Sequence, residues 1–191
     1  MLYSILKRAF DFSFALLLII TLFPFIVAIY FAVVLSSSGG ALYWSDRIGI
    51  NNKIFKMPKF RTMKVGTPVV ATHLLRKGQS HLTSIGGFLR KTSLDEIPQL
   101  ISIMKGDMSF VGPRPALYNQ YDLIELRGEN GIHKIKPGLT GYAQIMGRDE
   151  LSLVEKVKFD LLYLENKGLK FDLYIILKTV EKVLRGDGVR H

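Results

Sequence analysis

Two adjacent carboxylates, Asp95 and Glu96, stand where this chain could do chemistry. With Ser93 before them they fit a capping box, Ser93 as N-cap and Glu96 reaching back from the third helical position. Asp95 then falls in a first helical turn. There the helix dipole and free amides favour the ionised carboxylate by about 0.3–1 kcal/mol at an exposed site. Such an aspartate is suited to nucleophilic attack or to holding a metal ion. A second carboxylate beside it costs energy unless a cation offsets the charge. Mg2+ is a natural choice, because it takes one or two carboxylates together with substrate phosphate. The same pattern also serves as a plain cap, since acids in first turns are routine.

Cations in stiff backbone favour chemistry over capping. Arg90 lies five residues before Asp95, Arg114 is fixed between Pro113 and Pro115, and Arg148 follows Gly147. Lys59 and Arg61 come from a segment of β character. Arginines on rigid backbone suit bidentate phosphate capture, although each taken singly is also an ordinary surface charge. There is no P-loop and no G-x-G-x-x-G, which argues against kinase-like or Rossmann nucleotide binding. No G-x-S-x-G elbow and no D-x-D pair occurs. His73, His81, His133 and His191 lack metal-ligand spacing, and the absence of cysteine removes disulfides and thiolate chemistry.

These residues need elements to position them, and the first is hydrophobic. From Phe12 to Leu35 no residue is charged. At about 1.5 Å per residue a helix over that run reaches about 36 Å, more than the hydrocarbon core of about 30 Å. It is too long for the core of a signal peptide. Pro24 in its middle removes a backbone donor and crowds the carbonyl of Ile20, so the helix is expected to kink or break there. Lys7 and Arg8 precede the run and Arg47, Lys53, Lys56, Lys59 and Arg61 follow it. Basic residues prefer the cytoplasmic side, so a re-entrant helix–break–helix satisfies both flanks, whereas a kinked single-pass anchor satisfies one. Thr21 is the candidate partner for the freed carbonyl. The net charge of +10 lies almost wholly after this segment and points to anionic partners, namely phosphates, nucleotides and lipid head groups. Aromatics do not alternate with the basic residues as a nucleic-acid stacking platform requires.

The remainder reads as a helix-rich α+β domain, giving two parts, residues 1–40 in the membrane and 41–191 as one compact cytoplasmic domain. Ala41 to Met63, turning at Gly49-Ile50-Asn51-Asn52, is a short β-hairpin. Gly66-Thr67-Pro68 marks a loop. A helix over Thr83 to Lys91 is weakened by Gly86-Gly87, and another runs from Ser93 to Gly106. Val111-Gly112-Pro113-Arg114-Pro115 cannot be regular helix, and Pro137-Gly138-Leu139-Thr140-Gly141 is a second glycine-rich loop. Helices over Leu151 to Leu164 and Asp172 to Leu184 close the chain, with Gly186 as a stop. The apolar face of the last suits either the membrane surface or a core.

At these residues the chain resembles the bacterial sugar transferase family, specifically the small monotopic phosphoglycosyl transferases. The resemblance runs from Lys7-Arg8-Ala9-Phe10-Asp11 to the last helix. It is most specific in Ser93-Leu94-Asp95-Glu96-Ile97-Pro98-Gln99-Leu100, Lys105-Gly106-Asp107-Met108-Ser109 and Val111-Gly112-Pro113-Arg114-Pro115. Lys59-Phe60-Arg61-Thr62-Met63, Gln144 and Gly147-Arg148 add to it. It implies transfer of a sugar phosphate from a UDP-sugar to polyprenyl (undecaprenyl) phosphate with release of UMP, initiating a glycoconjugate at the cytoplasmic face of a bacterial inner membrane. By the same resemblance Asp95 is the nucleophile, passing through a covalent phosphosugar intermediate, and it meets Mg2+. Glu96 assists, Lys59, Arg90 and Arg114 bind phosphate, and Gln144 and Arg148 contact substrate. The membrane break differs in one respect, since Phe23 replaces the serine that often precedes the proline. The rival function is a non-catalytic basic membrane adaptor that recruits anionic lipid. The sugar is not readable, its contacts being expected in loops such as Val65–Ser80 or Tyr118–Glu129.

Overall fold

The computed structural model describes residues 2–69, 81–147 and 150–185. Gly186 and Arg148 fall outside them, as do most of Val65–Ser80, His73 and His191.

Helix α1, Leu2–Ser36, opens the chain and passes through Pro24 without ending. Of the expected kink or break, the helix does not break at Pro24: proline has cost one backbone hydrogen bond and not the helix. Thr21 does not serve the carbonyl of Ile20. Its hydroxyl donates to the carbonyls of Leu17, at 2.9 Å, and Leu18. The reason the helix persists is visible on its covered face. Asp11, Ala15, Leu18, Leu22, Ile26, Ile29 and Val33 are buried or half-buried, while Ile20, Phe23, Phe25 and Phe31 between them are exposed. Spacings of three and four put the first set on one stripe. That stripe packs on both sides of Pro24: Ala15 joins a cluster with Met57, Ile103 and Phe110, and Val33 joins one with Phe60 and Leu89. Both clusters thus draw on residues before and after position 40.

The basic flank before the apolar run is docked on protein. Lys7 pairs with Asp172 at 2.7 Å, and Tyr3 and Tyr163 donate to the same carboxylate. Arg8 donates to the carbonyls of Ile103 and Met104, both at 2.7 Å. These are last-turn carbonyls of a helix, where a cation is favoured. Asp11 accepts the N–H of Phe110.

Strands β1 (Leu42–Ile48) and β2 (Ile54–Phe60) form the expected antiparallel hairpin around a 3-10 turn at Ile50–Asn52. The register sets Tyr43 opposite Lys59, Ser45 opposite Met57 and Arg47 opposite Phe55. Alternation then places Arg47 and Lys59 on one face. Helix α2 is Gly86–Lys91. Gly86 does more than weaken it, because a side chain there would strike the carbonyl of Thr62. A 3-10 segment, Leu94–Gln99, leads into α3, Leu100–Lys105, which stops at Gly106 in the left-handed region.

Strands β3 (Ser109–Val111) and β4 (Gly138–Thr140) pair in parallel, so the two glycine-rich motifs form one structure. Gly112 donates to Thr140, and a side chain on Gly112 would meet the backbone of Lys136 and Gly138. Helix α4, Tyr121–Glu129, occupies most of the stretch expected as a sugar-contacting loop. Helices α5 (Tyr142–Met146), α6 (Leu153–Asn166) and α7 (Leu169–Arg185) complete the chain. Helix α6 opens on a true capping box, Ser152 with Glu155. Leu173, Leu177, Val180 and Leu184 stand exposed along α7.

Candidate functional site

The segment carrying Asp95 and Glu96 differs from its expected form. Ser93 has φ 57°, in the left-handed region, and its side chain caps nothing. Glu96 does not reach back to it. Pro98 lies inside the segment, which winds as a 3-10 helix before α3 begins. A tight 3-10 turn puts consecutive residues at wide angles, so Asp95 and Glu96 point into different company.

Glu96 is locked. Its Oε1 accepts from Lys59 Nζ at 2.9 Å and from Arg114 Nη2 at 2.8 Å. Burial alone would raise its pKa, but Arg114 and Lys59 outweigh it and hold the carboxyl well below the usual range. Burial pulls Lys59 in turn below its ordinary value, against the opposing charge of Glu96. Lys59 arrives from β2 and Arg114 from the backbone that follows β3, so Glu96 ties the hairpin to the Pro-Arg-Pro segment.

Asp95 is buried at 7% exposure, yet among the described residues nothing donates a hydrogen bond to its carboxyl group. Burial raises its pKa; Lys59 opposes this, Glu96 adds to it, and Arg90 and Arg114 oppose it further. The direction is opposite to that expected from a capped first turn, because desolvation exceeds what a short 3-10 segment can offer. The carboxylate thus keeps its lone pairs open beside three cations. Arg90 comes from the last turn of α2, its Nε donating to Thr62 Oγ1 at 3.0 Å.

One further cation belongs to the site and was not singled out for it by the sequence. Arg47 lies close enough to Glu96 and Arg114 to feel both, and burial with Arg114 brings its guanidinium down to about 10. Its place beside Lys59 follows only from the hairpin register. Among the described residues, four cations, Arg47, Lys59, Arg90 and Arg114, therefore surround two carboxylates. An excess of enclosed positive charge recruits an anion. No group of three or more His, Cys, Asp or Glu side chains suited to a metal occurs among the described residues. Lys59 and Arg114 both hold the one oxygen Oε1 of Glu96, while Asp95 accepts no hydrogen bond among the described residues.

Gln144 is brought near the motif junction. It is buried on α5, with neither amide atom partnered among the described residues, and its Oε1 lies against Gly141, which itself abuts Gly112. Arg61, the other cation of the hairpin segment, donates to the carbonyl of Leu42.

Comparison with known proteins converges on one group. The profile described as bacterial sugar transferase matches residues 2–186. The chain is 40% identical over 185 residues to UDP-glucose:undecaprenyl-phosphate glucose-1-phosphate transferase of Escherichia coli, covering 93% of this chain and 40% of that protein. It is 39% identical over 200 residues to UDP-galactose-lipid carrier transferase of Erwinia amylovora, covering 96% and 41%. To the exopolysaccharide production protein ExoY of Sinorhizobium fredii it is 36% identical over 200 residues, covering 97% and 88%. The chain thus spans about two fifths of the length of the first two and most of the third. From the first residues of α1 to the end of α7, the chain belongs to the bacterial sugar transferase family.

Proposed function

We propose that this protein transfers a sugar 1-phosphate from a UDP-sugar to polyprenyl phosphate, releasing UMP and initiating a glycoconjugate. The observation that carries this reading is the contrast within the dyad: a buried Asp95 carboxylate without a donor among the described residues, beside a Glu96 whose Oε1 is held by both Lys59 and Arg114.

The steps are those that the resemblance implies, and the geometry is compatible with them. The surplus of positive charge draws in the diphosphate. An Asp95 oxygen attacks the β-phosphorus, the bond from that phosphorus to the bridging oxygen breaks, and UMP leaves with the electron pair. A polyprenyl phosphate oxygen then attacks the same phosphorus, forming the polyprenyl diphosphate sugar and releasing the Asp95 carboxylate. Dividing the exchange this way lets two substrates react at one group in turn. Burial favours attack, since a desolvated carboxylate is a stronger nucleophile, and Lys59, Arg90 and Arg114 oppose the rise in pKa that burial causes. Glu96 acts by holding Lys59 and Arg114 in place. The donor set fits Mg2+ bound by Asp95 together with substrate phosphate, and the ion would neutralise the diphosphate and the leaving UMP.

The same reading gives α1 a re-entrant course from the cytoplasmic face of the bacterial inner membrane. Its support is that both ends are fastened to one body, Lys7 to Asp172 near the start and Val33 to Phe60 and Leu89 near the end. A simple span would carry one of those ends to the far side. The exposed apolar face of α7, flanked by Lys178, Lys182 and Arg185, suits the head-group layer beside it. A panel of UDP-sugars assayed with polyprenyl phosphate and Mg2+ tests the activity. UMP release with one member of the panel is expected; UDP as the released nucleotide would mean direct glycosyl transfer and would overturn the reading.

A further inference from the structure

Arg114 sits in backbone that cannot be held in the usual way. Pro113 and Pro115 have no N–H, so the carbonyls must carry the hydrogen bonding of this stretch. Each of three successive carbonyls has a donor from a different element. Pro113 accepts from the Gly138 N–H at 2.9 Å, Arg114 from Arg127 Nη1 at 2.8 Å, and Pro115 from Arg47 Nη1 at 3.0 Å. The Ile48 N–H reaches the next carbonyl, that of Ala116, at 3.0 Å.

We propose that Arg47 and Arg127 form a clamp that positions Arg114, gripping the carbonyls of residues 114 and 115 so that its side chain is aimed at the dyad. This rests on the reading of Arg114 as a phosphate ligand given above. Neither arginine needs to touch substrate for the clamp to work, and the two differ in a useful way. Arg127 is neutralised by the buried Asp160, at 2.6 Å from Nη2 and 3.0 Å from Nε. Arg47 has no carboxylate of its own among the described residues; its Nε donates to Ser45 Oγ at 3.0 Å. Arg127 is therefore a grip without net charge, whereas Arg47 is a grip that also adds a positive charge to the site. The planar guanidinium suits this task, since it donates to Ser45 and Pro115 in fixed directions, which the single ammonium of lysine cannot reproduce.

The test is a double-mutant cycle on kcat/KM for UMP release, with Trp44 emission reporting the folded fraction. Arg47→Met is expected to lower kcat/KM about 10²-fold, the scale of a small misplacement of a binding group. Arg47→Lys should recover part of that loss. In an Arg114→Ala background, Arg47→Met should cost at least about fivefold less than in the wild-type background, because the group it positions is gone and only the charge of Arg47 itself is lost. The double variant R127M/D160N removes the second grip without stranding Asp160, and should show the same loss of effect when Arg114 is absent. Equal losses in both backgrounds would overturn the clamp, as would an unaffected Arg47→Met. So would a loss that merely follows the folded fraction, including failure of every substitution at 47 to fold. Wild-type protein that releases no UMP from any UDP-sugar would instead contradict the functional reading itself.

Discussion

Of the buried acidic centres in this molecule, the one at Asp172 and the one at Asp95 and Glu96 are built on opposite plans. Around Asp172 the charges balance: one lysine, Lys7, and two tyrosines, Tyr3 and Tyr163, meet one carboxylate, with Tyr163 raised far above its ordinary pKa by burial and by Asp172. Every polar atom there serves to fasten α1 to α6 and α7. Among the described residues the charges around Asp95 and Glu96 do not balance, and one carboxylate is left without a donor. A saturated centre stabilises the fold; an unsaturated centre with surplus cations is arranged for something that has yet to arrive.

That contrast can be broken most severely at Asp95. Asp95→Asn keeps the size of the side chain and removes the nucleophile, so UMP release should fall by at least about 10³-fold with little change in thermal stability. A mild loss would place Asp95 among the supporting residues. Glu96→Gln should cost about 10²-fold in kcat/KM, since Lys59 and Arg114 lose the charge that holds them together. If activity survived, the cations would be positioned by other contacts.

The opposite result is expected at the balanced centre. Asp172→Asn strands Lys7 and should cost about 3 kcal/mol of stability, read from denaturant unfolding in detergent, while kcat per folded molecule stays within about threefold. A large fall in kcat with unchanged stability would erase the distinction between the two centres. The smallest effect is on pH dependence. Asp95 must be ionised to attack, so kcat should fall with acidity through a pKa above the ordinary 3.8 of aspartate. Arg90→Gln removes one of the cations that lower that pKa and should move the acid limb upward; a limb that moves down would contradict the assignment. Stability has the opposite sign at the two carboxylates. The raised Asp95 favours the fold below its unfolded pKa, and that contribution is lost as pH rises through the folded value. The lowered Glu96 favours the fold above the ordinary 4.5, and that contribution is lost as pH falls towards its folded value.

Much of this arrangement was legible in the sequence, and the failures have physical causes. The hairpin, the stop at Gly106 and the terminal helices follow from turn residues and periodicity. Asp95, Glu96, Lys59, Arg90 and Arg114 were named because motif spacing survives whatever path the backbone takes. The capping box at Ser93 was misread, since Pro98 and a left-handed Ser93 turn the segment into a 3-10 helix, while the real box lay at Ser152 and Glu155. The contacts of Lys7 and Arg8 were not legible because their partners, Asp172 and the end of α3, lie far along the chain. Arg47 and Arg127 were invisible for the same reason: strand register and the course of Pro113–Pro115 are long-range facts that no local pattern encodes.

The proposed intermediate is covalent, and intact-mass spectrometry detects it. Wild-type protein mixed with its UDP-sugar and Mg2+, without polyprenyl phosphate, should gain the mass of one sugar phosphate and release an equal amount of UMP. Adding polyprenyl phosphate should remove that mass, and Asp95→Asn should never acquire it. A wild-type chain that turns over substrate with no trappable adduct, or an adduct that persists in Asp95→Asn, would contradict the account.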